Sequence, residues 1–308
     1  MSDYHIRRAT VDDFDGVMDI GDVYFGTDYL RHRYHSFMDD CNARSYVYVI
    51  GKEIVGFCSV HLIDNGLTFL VRASRVKEGF RGKGIYGRLL KHVYAEHKDV
   101  DNIKYDVITT SSYKFEARKK SLLNTYMYTI SSRKTIRSYQ FEVEDMDLPT
   151  PAKTAFLEEV NSSTMTSLLE DEQTRDTLFP GGKMIINWLP LRLFTSNMKY
   201  IMGVDTFALI SSCDNCKVSL LTVGTPTECQ LGLLYNIDVF ANDVTSLRYH
   251  VIRHIEHLKA LTQKQVVLQI VTSADFDKTV DDIMKNLRIA SFNKNLCTEI
   301  TSLEKSFQ

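Results

Sequence analysis

The chain has 308 residues, more than the ~100–200 of a usual single domain, so one large or two smaller domains are expected. Its apolar (44%) and charged (25%) fractions suit a globular protein with a sizeable core. A formal net charge of −2 gives no electrostatic case for nucleic acid or a membrane surface, and no apolar run approaches the ~20 residues of a membrane span.

The N-terminus (Met1-Ser2-Asp3-Tyr4-His5) has no signal-peptide character, so the cytosol is the expected location. Residues 5–9 read as a short strand. Thr10, followed by Asp12 and Asp13 and then by Phe14, Val17, Met18 and Ile20, reads as a helix with an N-cap and an acidic first turn. Residues 21–39 gather Tyr24, Phe25, Tyr29, His32, Tyr34, His35 and Phe37. They serve equally as cleft aromatics or as the packed face of a second helix.

Residues 45–50 and 54–64 are β-rich runs joined by the hairpin signal Gly51-Lys52-Glu53. After the Asn65-Gly66 turn, residues 67–76 form an apolar strand. It ends in Arg75-Val76-Lys77-Glu78-Gly79-Phe80-Arg81-Gly82-Lys83-Gly84-Ile85-Tyr86-Gly87-Arg88. Glycines bring backbone amides close to a ligand. The helix that follows adds free N–H groups and the positive end of its dipole, so the stretch reads as an anion cradle. It is no Walker loop, since no Gly-x-x-x-x-Gly-Lys-Ser/Thr occurs, and it lacks the placement of a dinucleotide fingerprint.

A helix is expected over 84–98 on the stripe Ile85, Leu89, Leu90, Val93 and Tyr94. A fifth strand follows over 103–110, a helix over 115–123, and a hairpin or pair of strands over 126–143. Pro149-Thr150-Pro151 marks a linker, dividing the chain into domains at 1–148 and 149–308. Beyond it an amphipathic helix is expected at 153–170 and a turn at 180–182. Strands follow at 207–211, 218–223 and 231–240, then a helix at 244–261, a strand at 266–272, a helix at 276–287 and a terminal apolar stretch.

Arg81-x-x-Gly84 within this element order resembles the Arg/Gln-x-x-Gly-x-Gly/Ala signature of the GCN5-related N-acetyltransferases (GNAT), with Tyr86 at the sixth place. The resemblance covers about residues 4–143. Asp28-Tyr29-Leu30, Arg33-Tyr34-His35 and Asp64-Asn65-Gly66-Leu67-Thr68 look like the histidine N-acetyltransferase-like subfamily. Leu178-Phe179-Pro180-Gly181-Gly182 and Trp188-Leu189-Pro190 look similar to that subfamily further downstream. The resemblance implies an α/β (α+β) fold with a mixed, mostly antiparallel sheet and helices on both faces. The second half repeats strand-strand-strand-helix-strand-helix without cradle glycines, and is expected to be a degenerate GNAT-like domain.

It also implies acetyl-coenzyme A as acetyl donor, held by Arg75, Val76, Lys77, Arg81, Gly82, Lys83, Gly84, Ile85, Tyr86 and Gly87. Transfer would go directly to the amine of a small molecule, a free amino acid such as histidine being one acceptor. A non-catalytic acyl-CoA-binding protein and a peptide or protein acetyltransferase are the alternatives. A backbone N–H near residues 75–77 would polarise the thioester, and a general base would free the amine. His61, Glu53 and Asp64 are candidate bases. Tyr113 before the expected 115–123 helix, and Tyr126 or Tyr128 after it, are the nearest candidate donors to the thiolate. Tyr29 and Tyr34 are candidate acceptor contacts. Arg72, a cation in an apolar strand, needs either a substrate carboxylate or an acidic side chain of the protein. No metal is expected: Cys213-Asp-Asn-Cys216 has ligand spacing but no second pair, and two reduced thiols in a turn are the plainer reading.

Overall fold

The computed structural model describes residues 3–149, 157–212, 217–262, 265–292 and 297–307. The Cys213–Cys216 turn and part of the proline linker lie outside the described residues. In chain order the elements are β1 (Tyr4–Arg8), α1 (Phe14–Met18), α2 (Leu30–Asp39), β2 (Ala43–Ile50), β3 (Glu53–Ile63), β4 (Thr68–Val76), α3 (Ile85–His97), β5 (Tyr105–Ser111), α4 (Ser112–Lys120) and β6 (Thr129–Glu142). They continue as β7 (Leu157–Glu159), α5 (Ser162–Glu170), α6 (Glu172–Leu178), β8 (Lys183–Ile186), β9 (Leu189–Arg192), α7 (Met198–Ile201), β10 (Phe207–Ser212) and β11 (Val218–Cys229). The chain closes with β12 (Gly232–Ala241), α8 (Leu247–Leu261), β13 (Gln265–Thr272), α9 (Asp277–Asn286) and β14 (Glu299–Ser306).

Two compact units result, and neither is one run of residues. The first holds residues up to 108, residues 123–129 and residues from 303 on; the second holds 109–122 and 130–302. A single cut at residue 148 does not reproduce this division, because the chain leaves the first unit at 108 and returns to it twice.

In the first unit the strand order is β1-β2-β3-β4-β5, with β14 joining beyond β5 through its end from Leu303. Strands β1 to β4 pair antiparallel, and β4 pairs parallel with β5. Side-chain alternation decides what each face packs against. On β2, Tyr46 and Tyr48 pack with Ile85, Leu89 and Val93 of α3, while Val47 and Val49 pack with Val17, Leu30, Tyr34 and Phe37 of the α1–α2 side. Gly56 lets α3 sit tightly on the sheet: a Cβ there would lie 3.2 Å from both Ile85 and Tyr48 side-chain atoms. The N-cap read at Thr10 is a capping box with Asp13, and Arg7 holds the same carboxylate with two bonds of 2.6 and 2.7 Å.

In the second unit β14 contributes its start, followed by β6-β13-β12-β11-β10-β7. Antiparallel β10-β11-β12, the helix α8 and the parallel strand β13 repeat the pattern of β2-β3-β4-α3-β5. One face buries Tyr235, Ile237, Leu268 and Ile270 against α8 and α9.

Several expectations change in detail. Residues 126–143 give one long strand, β6, rather than a hairpin; the polar Ser131-Ser132-Arg133 run is a half-exposed part of that strand and contains no turn-forming Gly, Pro or Asn. Of the expected helix 153–170, residues 153–156 lie outside the described residues, Leu157–Glu159 pair with β10 as β7, and the helix α5 starts at Ser162, where Asn161 caps it by accepting from the Thr164 amide at 2.9 Å. The helix after β5 begins at Ser112, so Tyr113 lies in its first turn.

Candidate active site

Strand β4 carries the site. Phe57 pairs with Arg75 and Ser59 with Arg72, so two residues of β4, Ala73 and Ser74, stand opposite Cys58 alone. Ala73 has a left-handed φ of 53°, the signature of a bulge made without glycine. Pairing of β4 with β5 covers only Thr68, Phe69 and Leu70. From Val71 to Val76 the β5-side edge of β4 has no ladder partner in the first unit, which leaves backbone donors and acceptors open to a ligand.

At the end of this edge the glycine-rich turn has the geometry of a cradle. Gly82 and Gly84 adopt φ of 76° and 72°, and Gly84 caps α3. The amides of Gly82, Lys83, Gly84, Ile85 and Gly87 donate to no acceptor among the described residues. No atom outside the neighbouring chain lies within 4 Å of a Cβ built at Gly82 or Gly87. The cations around the turn tie it down: Arg81 Nε donates to the Val76 carbonyl (3.1 Å), Lys83 Nζ to Gly79 (2.9 Å), and Arg88 to Lys83 (2.9 Å) and the Tyr48 hydroxyl (3.0 Å). Tyr86 is half-buried on α3 and Ile85 is buried beneath it. Lys77 is held by Asp19 and Glu53, both at 2.6 Å. This cradle fits a pyrophosphate-bearing coenzyme.

Arg75 stands apart from the other expected coenzyme residues. Its side chain is buried and forms two bonds with Asp28, at 2.7 and 3.1 Å, so only its backbone faces the open edge. Asp28 also accepts from the Leu30 amide (3.0 Å) at the start of α2. One carboxylate thereby fixes the loop before α2 to the bulged strand.

On the α2 side of β4, Arg72 lies 5.7 Å from the ring of Tyr29 and 5.3 Å from that of Phe37. Phe37 meets His61 edge-on at 4.5 Å, and Tyr24 stacks on Tyr29 at 6.0 Å. His61 shares this face because Ser59, two residues before it, pairs with Arg72. No acidic side chain among the described residues forms an ion pair with Arg72, so of its two expected partners the protein's own carboxylate is absent.

The fold thus brings Tyr29, Arg72 and His61 together, and adds Phe37 and Tyr24, which the helical reading had left as packing aromatics. Tyr34 is a correction: it is 0% exposed, and its hydroxyl donates to the Thr10 carbonyl at 2.6 Å, so it braces α2 from inside the core and meets no acceptor. Of the other candidate bases, Glu53 holds Lys77, while Asp64 is buried and accepts from the Thr68 hydroxyl at 2.5 Å. Tyr113, on α4 in the second unit, and Tyr126, in the first, are both exposed phenols. Sequence offered no cue for the Asp28–Arg75 pair beyond a buried-strand arginine in need of a counter-ion.

Comparisons with known proteins bear on the family and the fold. Residues 14–117 match the acetyltransferase (GNAT) family, and residues 153–273 match the family described as histidine N-acetyltransferase, C-terminal. A histidine N-acetyltransferase of Oreochromis niloticus is 27% identical over 292 residues, covering 84% of this chain and 82% of that protein. The human probable N-acetyltransferase 16 is 28% identical, over 80% and 71% of the two chains. Among solved structures, a tandem GNAT protein from the clavulanic acid biosynthesis pathway superposes over 99% of both chains with a TM-score of 0.60 and 12% identity. A GCN5-related N-acetyltransferase from Sphaerobacter thermophilus gives 0.59 at 9% identity, over 99% of this chain and 96% of that one.

Proposed function

We propose that this N-acetyltransferase of the GNAT type, with its second, degenerate GNAT-like domain, acetylates the α-amino group of a free amino acid, histidine first among candidates, using acetyl-coenzyme A. The observation that carries this reading is Arg72. A half-buried guanidinium stacked on Tyr29 and Phe37 without an acidic partner suits a substrate carboxylate held bidentately. The flanking rings suit a flat side chain such as imidazole. Relatives named histidine N-acetyltransferase support that choice of acceptor.

The amides of Gly82, Lys83, Gly84, Ile85 and Gly87, without acceptors among the described residues, and the open edge of β4 would hold the coenzyme, which supplies an activated acetyl thioester when bound. A β4 amide between Val71 and Lys77 donates to the carbonyl oxygen where negative charge develops. Arg72 anchors the carboxylate and thereby places the amine. His61, on the same face of the sheet, takes the amine's proton through water. Tyr126, in the same unit, returns a proton to the departing thiolate. The first domain does this work, while the second has no glycine cradle after β12 and its parallel pairing runs on to Asp238 and Val271.

The test is thiol release from acetyl-coenzyme A against a panel of free amino acids, amines and peptides, with wild type beside Arg72→Ala. Turnover on an amino acid is expected, with acceptor KM raised about 100-fold in the variant and the coenzyme KM unchanged. An unchanged acceptor KM would remove Arg72 from the site, and turnover confined to peptides would replace the acceptor class.

A further inference from the structure

The second unit buries a polar row where its fold calls for apolar packing. On the sheet face away from α8 and α9, Thr225, Asn236, Gln269 and Ser138 stand in register across β11, β12, β13 and β6. The next row carries Asp238 between Val223 and Val271. Asn236 and Asp238 are each 1% exposed.

Both converge on the tip of the β8–β9 hairpin. The Asn187 amide donates to Asp238 Oδ2 at 2.8 Å, and Asn236 Nδ2 donates to Asn187 Oδ1 at 3.0 Å. Asn187 and Trp188 at this tip hold left-handed φ of 46° and 67°, a strained setting for a tryptophan. Trp188 is fixed by its packing with Ile136, Val271 and Ile300 and by the Thr109 hydroxyl, which donates to its carbonyl at 2.9 Å.

The other carboxylate oxygen of Asp238, Oδ1, and the amide oxygen of Asn236 are buried with no hydrogen-bond partner among the described residues, as is the Thr225 hydroxyl. Two residues along β12 from Asp238, the Lys134 ammonium lies 5.5 Å from the Phe240 ring and forms no ion pair among the described residues. Buried acceptors without donors are costly, and persist where something supplies the donors. An ammonium supplies three donors and a positive charge to Asp238 and Asn236. A carboxylate next to it answers Lys134. We propose that the second unit binds a free α-amino acid by its charged ends, the ammonium on Asp238 and Asn236 and the carboxylate on Lys134.

This site is built wholly from second-unit residues and does not rest on the reading of Arg72. Burial raises the Asp238 carboxyl to about 7 and lowers Lys134, so both groups become fully charged more readily with the zwitterion present. Binding therefore strengthens from pH 6 to pH 8.

The test uses the full chain carrying Arg72→Ala, without coenzyme. The twenty protein amino acids are screened by thermal shift, and the strongest is measured by isothermal titration. One equivalent is expected to bind, with Kd weakened at least about tenfold by Asp238→Asn and by Lys134→Met. The decarboxylated amine of that amino acid should bind equally to the parent and to the Lys134→Met variant, which keeps the test decisive if Asp238→Asn fails to fold. No binding by any amino acid overturns the proposal, and so does a Kd that neither substitution changes.

Discussion

The Arg75 guanidinium and the Asp28 carboxylate form a two-bond pair with almost no solvent at the arginine end, joining the bulged strand to the loop that opens α2. Removing one partner leaves a buried charge alone, which costs more than the pair contributes. Asp28→Ala should destabilise the fold by about 3 kcal/mol or more, far beyond the effect of breaking an exposed ion pair. Urea unfolding of both variants, with Asp28→Ala set beside Lys278→Ala on the exposed pair with Asp282, checks the contrast.

The fold was legible mainly where one local signal decided it. Thr10 and Asp13 announced the first helix, Gly51 the first hairpin, and Gly82 and Gly84 the left-handed turn that leads into α3. The bulge was hidden, because Ala73 carries a left-handed conformation that its side chain does not advertise. Arg72 and Arg75 looked alike in sequence, yet the bulge between them sends one to Tyr29 and Phe37 and the other to Asp28. Tyr34 and Tyr29 were equally plausible acceptor contacts until helical phase put the former inside the core. The hairpin tip at Asn187 and Trp188 had no signal of its own, since such turns normally carry Asn-Gly.

Gly84 should be the most sensitive position of the cradle. Any L-residue at φ 72° is strained by about 1 kcal/mol, and a carboxylate there also repels phosphate. Gly84→Ala should raise the acetyl-coenzyme A KM about tenfold, and Gly84→Asp more, with thermal stability changed by only a few degrees. Initial-rate kinetics at saturating acceptor will show it.

The second unit carries an acid-sensitive relay. The Tyr235 hydroxyl meets His254 Nδ1 at 2.9 Å, His254 Nε2 meets the Thr222 hydroxyl at 2.9 Å, and that hydroxyl meets His250 Nδ1 at 2.8 Å. Burial holds both rings neutral, taking His250 down to about 3 and His254 well below its ordinary value. The unfolded chain protonates these rings near pH 6.5 and the folded chain does not, so stability is intact above that pH and falls as pH drops from about 6.5 toward 3. Melting temperature should decline from pH 7 to pH 5, while two histidine ring resonances stay fixed over that range.

Gly224 makes room for that relay. A Cβ built there would lie 1.9 Å from the Tyr235 hydroxyl and 2.7 Å from His254 Nδ1. Gly224→Ala should destabilise the protein by about 2 kcal/mol, with calorimetry as the readout. Adding Tyr235→Phe, which removes the clashing oxygen, should recover part of the loss.

In the first unit, Asp106 accepts from the Tyr94 and Tyr128 hydroxyls, both at 2.7 Å, and meets Lys305 at 3.4 Å, while Phe307 packs on Phe69 at 5.0 Å. Residues 303–307 are therefore structural members of a unit whose other strands were all made much earlier in the chain. On the ribosome, the first unit is born first and finished last. Through the synthesis of everything between, the edge of β5 stands without its neighbour, a period in which a chaperone, or a strand from another nascent chain, can reach it.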